Sequence, residues 1–381
     1  MRLLHTSDWH VGKVLKGQAR LDEQIKALGQ IVEVARAERP DLVIVAGDLY
    51  DTASPTADAT KVVTRALSAL KGTGAEVVAI GGNHDNGPAL DALRPWAEAA
   101  GITLRGAVSA NPKDLIVSGT TAGGEEWRLV ALPFLSQRFA VRASEMFELT
   151  DAEATQTYAD HISRLLETLT KAAFTNDSVN LITTHLTVLG ATQGGGEREA
   201  HTIMGYAVPV TVFPQAAHFV ALGHLHRAQT VPGPSTVHYS GSPLAIDFGE
   251  TENLPGVSIV DVTKDTAAKV RTVEITAATR LRTIRGTLAD LENFPDDGSW
   301  LRVFVREQPR AGLREEVQAM LPRALEVRID PAMLPETTTD RPDATRAGRS
   351  PQDLFTEYLT SRGHADEATL ALFGKLYDEV G

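Results

Sequence analysis

Five short apolar runs in this chain each end abruptly in a motif of aspartate, asparagine or histidine. Residues 3–6 lead to Asp8-Trp9-His10, and 42–46 (LVIVA) lead to Gly47-Asp48-Leu49-Tyr50-Asp51. Residues 77–80 lead to Gly82-Asn83-His84-Asp85, 179–182 to His185, and 219–222 to Gly223-His224-Leu225-His226. Runs of four or five residues rich in Val, Ile and Leu, bounded by Gly or Asp, read as strands buried on both faces. Helical patterns separate them. Leu21, Ile25, Leu28, Ile31, Val32 and Ala35 recur at helical spacing until Pro40. Val62, Val63, Ala66, Leu67 and Leu70 form a second face, introduced by Ser54-Pro55 as N-cap and first turn and ended by Gly72. Leu90, Leu93, Trp96 and Ala97 mark a third helix. A long fourth one starts at a capping box, Thr150 with Glu153, and runs through Tyr158, Ile162, Leu165, Leu166 and Leu169. With a further strand at 129–132, this alternation predicts a layered α/β domain.

In such a sheet the C-terminal strand ends form the crevice where ligands bind, so the five motifs converge on one face. Together they supply two carboxylates (Asp8, Asp48), four imidazoles (His10, His185, His224, His226) and the Asn83 carboxamide. These seven hard or borderline donors, with no sulfur, suit divalent Mn, Fe, Co or Zn, and suit two ions better than one. Two ions need a bridging carboxylate at the centre of the set, and Asp48 is the natural choice. His84 lies beside the ligand Asn83, outside the set, and is the expected general acid, with Asp85 next to it favouring the imidazolium. Isolated histidines are usually structural, and His5, His161, His201, His218, His238 and His364 are read so. Gly194-Gly195-Gly196 reads as a flexible loop, since no Lys-Ser/Thr follows it.

Composition narrows the field further. The 381 residues carry 37 Lys and Arg against 49 Asp and Glu, a net charge of −12. That field opposes polyanions at long range, so binding to nucleic acid would need a local basic surface, a metal or a partner. The chain has no cysteine, which removes disulfides and thiolate sites and suits a reducing cytoplasm. No apolar run reaches the roughly 18 residues that span a bilayer. A cytoplasmic protein without membrane contact is expected.

Beyond the last motif, 237–273 reads as short strand-like pieces. A second unit follows with a strand at 301–305, a helix at 313–320 and a strand at 325–329. Residues 335–350 (PETTTDRPDATRAGRS) carry no apolar periodicity and read as a linker. Leu354, Phe355, Tyr358 and Leu359, then Leu370, Phe373, Leu376 and Tyr377, restore helical stripes. The expected organisation is 1–275, 280–334, linker 335–350 and a helical tail at 351–381.

DxH, GDxxD, GNHD, a lone His and GHxH, in this order, resemble the calcineurin-like metallophosphoesterase superfamily over roughly the first 250 residues. The opening RLLHTSDWHVGK, GDLYDTASP and the late SPQDLFTEYL resemble its branch of DNA-end-processing nuclease subunits over almost the whole chain. The resemblance implies a four-layer α/β/β/α sandwich, a small α+β cap domain over the site and a helical tail that docks on an SMC-like coiled-coil ATPase. It implies two Mn ions, one held by Asp8, His10, Asp48 and His226, the other by Asp48, Asn83, His185 and His224, with His84 as catalytic acid. DNA is the implied substrate, and a homodimer through helices beside the site is also implied, with Leu90, Leu93 and Trp96 as candidates for interface or core. Archaeal relatives carry a histidine where this chain has Asp51, so that histidine's role does not transfer. The competing readings are a stand-alone esterase for small phosphodiesters or phosphoproteins, which has no evident use for the tail, and a DNA-end scaffold with a degenerate site, which the full ligand set opposes.

Overall fold

The computed structural model describes residues 1–109, 111–136, 157–197, 206–333, 351–361 and 366–380. LVIVA forms the strand Leu42–Ala46, every residue buried. It pairs in parallel with Arg2–Thr6 on one side and Glu76–Ile80 on the other. Ile102–Arg105 extends this sheet at one edge, and the antiparallel strands Gly256–Thr263 and Thr266–Glu274 extend it at the other. These last two have 8 and 9 residues, longer than the short pieces expected there. A second six-stranded sheet runs in the order Gln229–Val231, Val237–Tyr239, Phe219–Gly223, Val179–His185, Glu126–Leu132, Ile116–Thr120.

Period-two alternation assigns each side chain to a layer. Leu42, Ile44, Val78 and Ile80 face Leu129, Leu181, Phe219 and Ala221 of the other sheet, forming a core between the sheets. The intervening Val43, Val45, Val77 and Ala79 pack outward on Leu28, Ile31, Val63, Leu67 and Leu70 of the helices Leu21–Glu38 and Ala57–Lys71. On the opposite side Val130, Ile182, Val220 and Leu222 meet Ile162, Leu165, Leu166 and Leu169 of the helix Tyr158–Ala173. The result is the α/β/β/α sandwich. Truncating a core residue such as Ile44 to Ala costs about 2–5 kcal/mol.

Local chemistry sets the helix ends. Arg39 takes the left-handed conformation (φ 49°), and its N–H returns to the Ala35 carbonyl just before Pro40. The second helix is capped by Thr56, whose side chain accepts from the Ala59 N–H, and not by Ser54. Pro55 therefore precedes the cap instead of starting the helix. The helix expected at Leu90–Ala97 is two short ones, Gly87–Ala92 and Arg94–Ala99. Pro95 has no N–H to continue the first and begins the second. Leu90 is 2% exposed in the chain's own core, with Leu93 and Trp96 packed half-buried against it, so Leu90 is core and not interface. Thr150 and Glu153 lie outside the described residues. The described helix is capped by a box of Thr157 and Asp160.

The strands Leu281–Gly286, Trp300–Val305 and Ala324–Ile329 form a parallel three-stranded sheet, covered by the helices Leu288–Glu292 and Leu313–Met320 around Val303, Val305, Leu313 and Val317. A partly buried network ties this sheet to the sandwich. Arg20 donates to the Ala245 and Thr279 carbonyls and to Glu23, while Glu23 accepts from the Trp300 indole N–H at 2.8 Å.

By its contacts the chain divides into Met1–Asp330 and Pro331–Gly381. The second unit holds the helices Pro351–Ser361 and Glu367–Val380. Asp366 caps the latter, accepting from the Thr369 N–H at 2.8 Å. Phe355 and Phe373 stack with ring centroids 4.0 Å apart, so the two apolar stripes meet each other. Leu359 is buried, while Tyr358 and Leu372 are more than half exposed. The linker 335–350, His201 and His364 lie outside the described residues. Among the described residues, no helix is long and apolar enough to cross a membrane.

Candidate metal centre

The loops after the parallel strands lie side by side. Asp8, His10 and Val11 donate their N–H groups to the carbonyls of Gly47, Asp48 and Leu49, each at 3.0 Å. Asp8 (φ 55°), His10 (45°), Asp48 (52°) and His224 (97°) all occupy the left-handed region, which is costly for side-chain-bearing residues. Such strain persists where the surroundings enforce it and gathers at functional sites. Two glycines permit the crowding. A Cβ on Gly47 would sit 2.3 Å from His185 Nδ1, and one on Gly82 would sit 2.2 Å from Asp48 Oδ1.

All seven candidate ligands come together, with His84 beside them. Asp8, His10, Asp48, His185, His224 and His226 are buried, and Asn83 is half-buried. His10 Nε2 and His226 Nε2 face each other at 3.1 Å. Asn83 Oδ1 lies 2.8 Å from His185 Nε2 and 2.9 Å from His224 Nδ1. Asp48 Oδ2 sits among three imidazoles, 3.4 Å from His185 Nε2, 3.6 Å from His10 Nε2 and 4.0 Å from His84 Nε2. Ser7 donates to Asp8 Oδ2 at 2.5 Å, and the His224 N–H donates to Asp8 Oδ1 at 3.0 Å.

The donor set asks for cations. His185 Nδ1 donates to the Ala46 carbonyl at 2.8 Å, so its Nε2 points a lone pair at the Asn83 and Asp48 oxygens unless a proton or metal intervenes. His226 Nδ1 donates to Glu250 Oε1, which leaves its Nε2 facing His10 in the same condition. Among the described residues, no Lys or Arg forms an ion pair with Asp8 or Asp48. Without metal, protons must supply the positive charge. Burial pushes the His185 and His226 pKa values down, but Asp48 and Asp8 raise the former to about 9, and Glu250, Asp8 and Glu197 raise the latter to about 10. Burial lifts Asp8 to about 6 and drops His10 to about 3. Burial would raise Asp48 too, yet the imidazoles of His185, His10 and His84 hold it well below the usual carboxylate range. Buried carboxylate, imidazole and carboxamide donors, with no fixed cation among the described residues, fit divalent metal ions.

Three features were hidden in the sequence or misread from it. The Asp85 side chain turns to the backbone of the neighbouring loop. Its carboxylate accepts from the Gly82, Leu49 and Tyr50 N–H groups at 2.9–3.1 Å and staples the two loops together. Burial and the Asp48 charge raise it to about 7. His84 Nδ1 donates to the Asp51 carbonyl at 2.8 Å. Gly194–Gly196 packs closely against Glu197, Gly249 and Glu250. Gly194 and Gly195 donate to Glu197, which also accepts the His226 N–H. Glu250 and Glu197, both touching His226, belong to no motif. Of the histidines read as structural, His218 bridges Asn180 and Lys264, and His238 bridges Thr230 and Ser258.

A family profile described as calcineurin-like phosphoesterase matches residues 1–228. The chain belongs to this family of metallophosphoesterases. A second profile, described as type 5 capsule protein repressor C-terminal domain, matches residues 278–362. The chain is 33% identical over 327 residues to the SbcD subunit of the SbcCD nuclease of Bacillus subtilis (strain 168), covering 83% of this chain and 81% of that one. It is 32% identical over 382 residues to the Rhodobacter capsulatus protein of the same name, covering 93% and 91%. The Escherichia coli (strain K12) counterpart is 29% identical over 297 residues, covering 76% and 72%. These relatives define the SbcD branch of the family.

Proposed function

We propose that this chain is the nuclease subunit of an SbcCD-type complex, a Mn-dependent phosphodiesterase that acts on DNA. Its expected activities are exonucleolytic on duplex ends and endonucleolytic on single strands and hairpins, in repair, recombination and replication. The observation that carries this reading is the convergence of Asp48, Asn83 and four imidazoles whose ring nitrogens aim at shared points. Asp8, His10, Asp48 and His226 would hold one ion, and Asp48, Asn83, His185 and His224 the other, with Asp48 bridging. Bound there, the ions would polarise a phosphoryl oxygen and acidify water.

The chain's own residues do the rest. Asp8 and Asp48 are desolvated and held by Ser7 and by the N–H groups of His224 and His84, so their oxygens stay fixed in place. His84 is held through Nδ1 on the Asp51 carbonyl, and its Nε2, on the side of Asp48, would carry a proton and give it to the leaving oxygen. Among the eight, Asn83 and His84 retain access to solvent at 7% or more, which suits the side that meets the substrate.

Residues 280–334 act as a cap and 351–381 as the tether to an SbcC-like SMC-family ATPase. Leu93 and Trp96 are the remaining candidates for a homodimer contact beside the site. The test is digestion of linear duplex and single-stranded DNA with Mn or Mg, with and without the ATPase. Mn-dependent cleavage of single strands by the chain alone is expected. Cleavage that persists in excess chelator would overturn the reading.

A further inference from the structure

Glu250 ends the turn Phe248–Glu250 and is 1% exposed. Its Oε1 accepts from His226 Nδ1 at 2.6 Å, and its Oε2 accepts from the Ile246 N–H at 2.8 Å. Glu197 grips the same histidine by its backbone, accepting the His226 N–H at 2.9 Å while also accepting from Gly194 and Gly195. The glycine loop closes over this arrangement. A Cβ on Gly196 would lie 1.8 Å from Glu250 Oε1, and one on Gly194 would lie 2.9 Å from His226 Cβ. Gly195, at φ +109°, passes so close to Gly249 that its Cβ would lie 2.7 Å from that carbonyl oxygen. Three consecutive glycines are what let the chain run here.

A carboxylate buried this completely is costly unless a specific partner compensates it. Among the described residues, the cationic partner of Glu250 is His226 alone. An imidazole that ligates through Nε2 must carry its proton on Nδ1. A carboxylate accepting that proton fixes the tautomer and ring plane and makes Nε2 a better donor. The far end of His226 has the matching geometry, with Nε2 3.1 Å from His10 Nε2.

We propose that Glu250 is a positioning residue that holds His226 as the Nδ1–H tautomer, with Nε2 turned toward His10, so that the two imidazoles form one half of the metal centre. Glu197 and the glycine loop fix the backbone from which His226 projects. The inference deepens the metal-nuclease reading and rests on it.

The test titrates full-length protein with Mn alone by calorimetry, comparing wild type, Glu250→Gln and His226→Ala. Gln keeps the size of the side chain but replaces one of its two acceptor oxygens by a donor. Glu250→Gln should weaken one ion by about 10–100-fold, the usual cost of losing an outer partner of a ligating histidine. It should leave the other ion at wild-type affinity. His226→Ala should weaken the same ion at least as much. Wild-type affinity for both ions in folded Glu250→Gln overturns the proposal. So does equal weakening of both ions together with a lower melting temperature of the metal-free protein, the mark of a purely structural role. If Glu250→Gln does not fold, wild type answers through nitrogen-15-labelled histidines with diamagnetic Zn bound. A proton on His226 Nδ1 supports the proposal, and a bare Nδ1 overturns it. Wild type that binds no metal at all would sink the nuclease reading first, and this proposal with it.

Discussion

Gly82→Ala should uncouple metal binding from folding more sharply than any change to a ligand, because it alters only the space between two loops. An ideal Cβ at this position would sit 2.2 Å from Asp48 Oδ1 and 2.3 Å from Asp48 N. Rotating the Asp48 side chain relieves the first contact but not the second, which is backbone. Asp48 is also pinned, at φ 52° and by the His84 N–H on its Oδ1 at 2.8 Å. The loops must therefore part by about 1 Å to restore ordinary contact distances. Metal–ligand distances tolerate roughly 0.2 Å, so on the proposed assignment Asp48 and Asn83 could no longer both reach their ions. A misplacement of about 1 Å costs on the order of 10²-fold in turnover, while overpacking costs only about 1–3 kcal/mol of stability. The assay pairs Mn calorimetry with hydrolysis of single-stranded DNA, using Gly72→Ala as control, since its Cβ meets nothing nearer than 3.4 Å. A Gly82→Ala protein with wild-type metal affinity and turnover would refute the claim that close loop packing sets the ligand distances.

Three further outcomes are expected. His84→Ala should retain its metal while hydrolysis falls by roughly 10²–10⁴, and loss of metal by elemental analysis would move His84 into the ligand set. Deleting 351–381 should spare Mn-dependent cleavage of single strands and abolish co-purification with the ATPase; unchanged binding would return the tail to the protein's own core. Burial pushes the Glu23 pKa up, but Arg20, the Trp300 N–H and the Thr279 N–H outweigh it and hold it below its ordinary 4.5. Its stabilising contribution is thus complete near neutral pH and fades as pH falls below about 4.5, so the gap in urea midpoint between wild type and Glu23→Gln should narrow in acid. A gap that widens would contradict this assignment.

Much of the sandwich was legible because its strands advertise themselves. Leu42–Ala46 appears with its exact boundaries, since all five residues are apolar and all are buried. Val179–His185 extends past the expected 179–182 because Thr183, Thr184 and His185 are buried too, and Thr183 meets its polar requirement by donating to the Ala221 carbonyl. Ile102–Arg105 and Ile116–Thr120 escaped notice as edge strands that alternate or expose side chains and so lack a continuous apolar run. The ligand-type residues were readable because each follows a strand, and strand ends share one face. Glu197 and Glu250 were not, since they reach His226 from 29 and 24 residues away through loops whose path depends on the finished packing. Asp85 was visible but misassigned, because sequence adjacency to His84 says nothing about which way its carboxylate turns.

Whether Asp48 bridges two ions is decided by metal analysis of Asp48→Ala beside wild type. Wild type should hold two Mn ions per chain, and Asp48→Ala at most one, weakly held, with no nuclease activity. Two tightly bound ions in Asp48→Ala would contradict the bridge and the two-ion mechanism built on it.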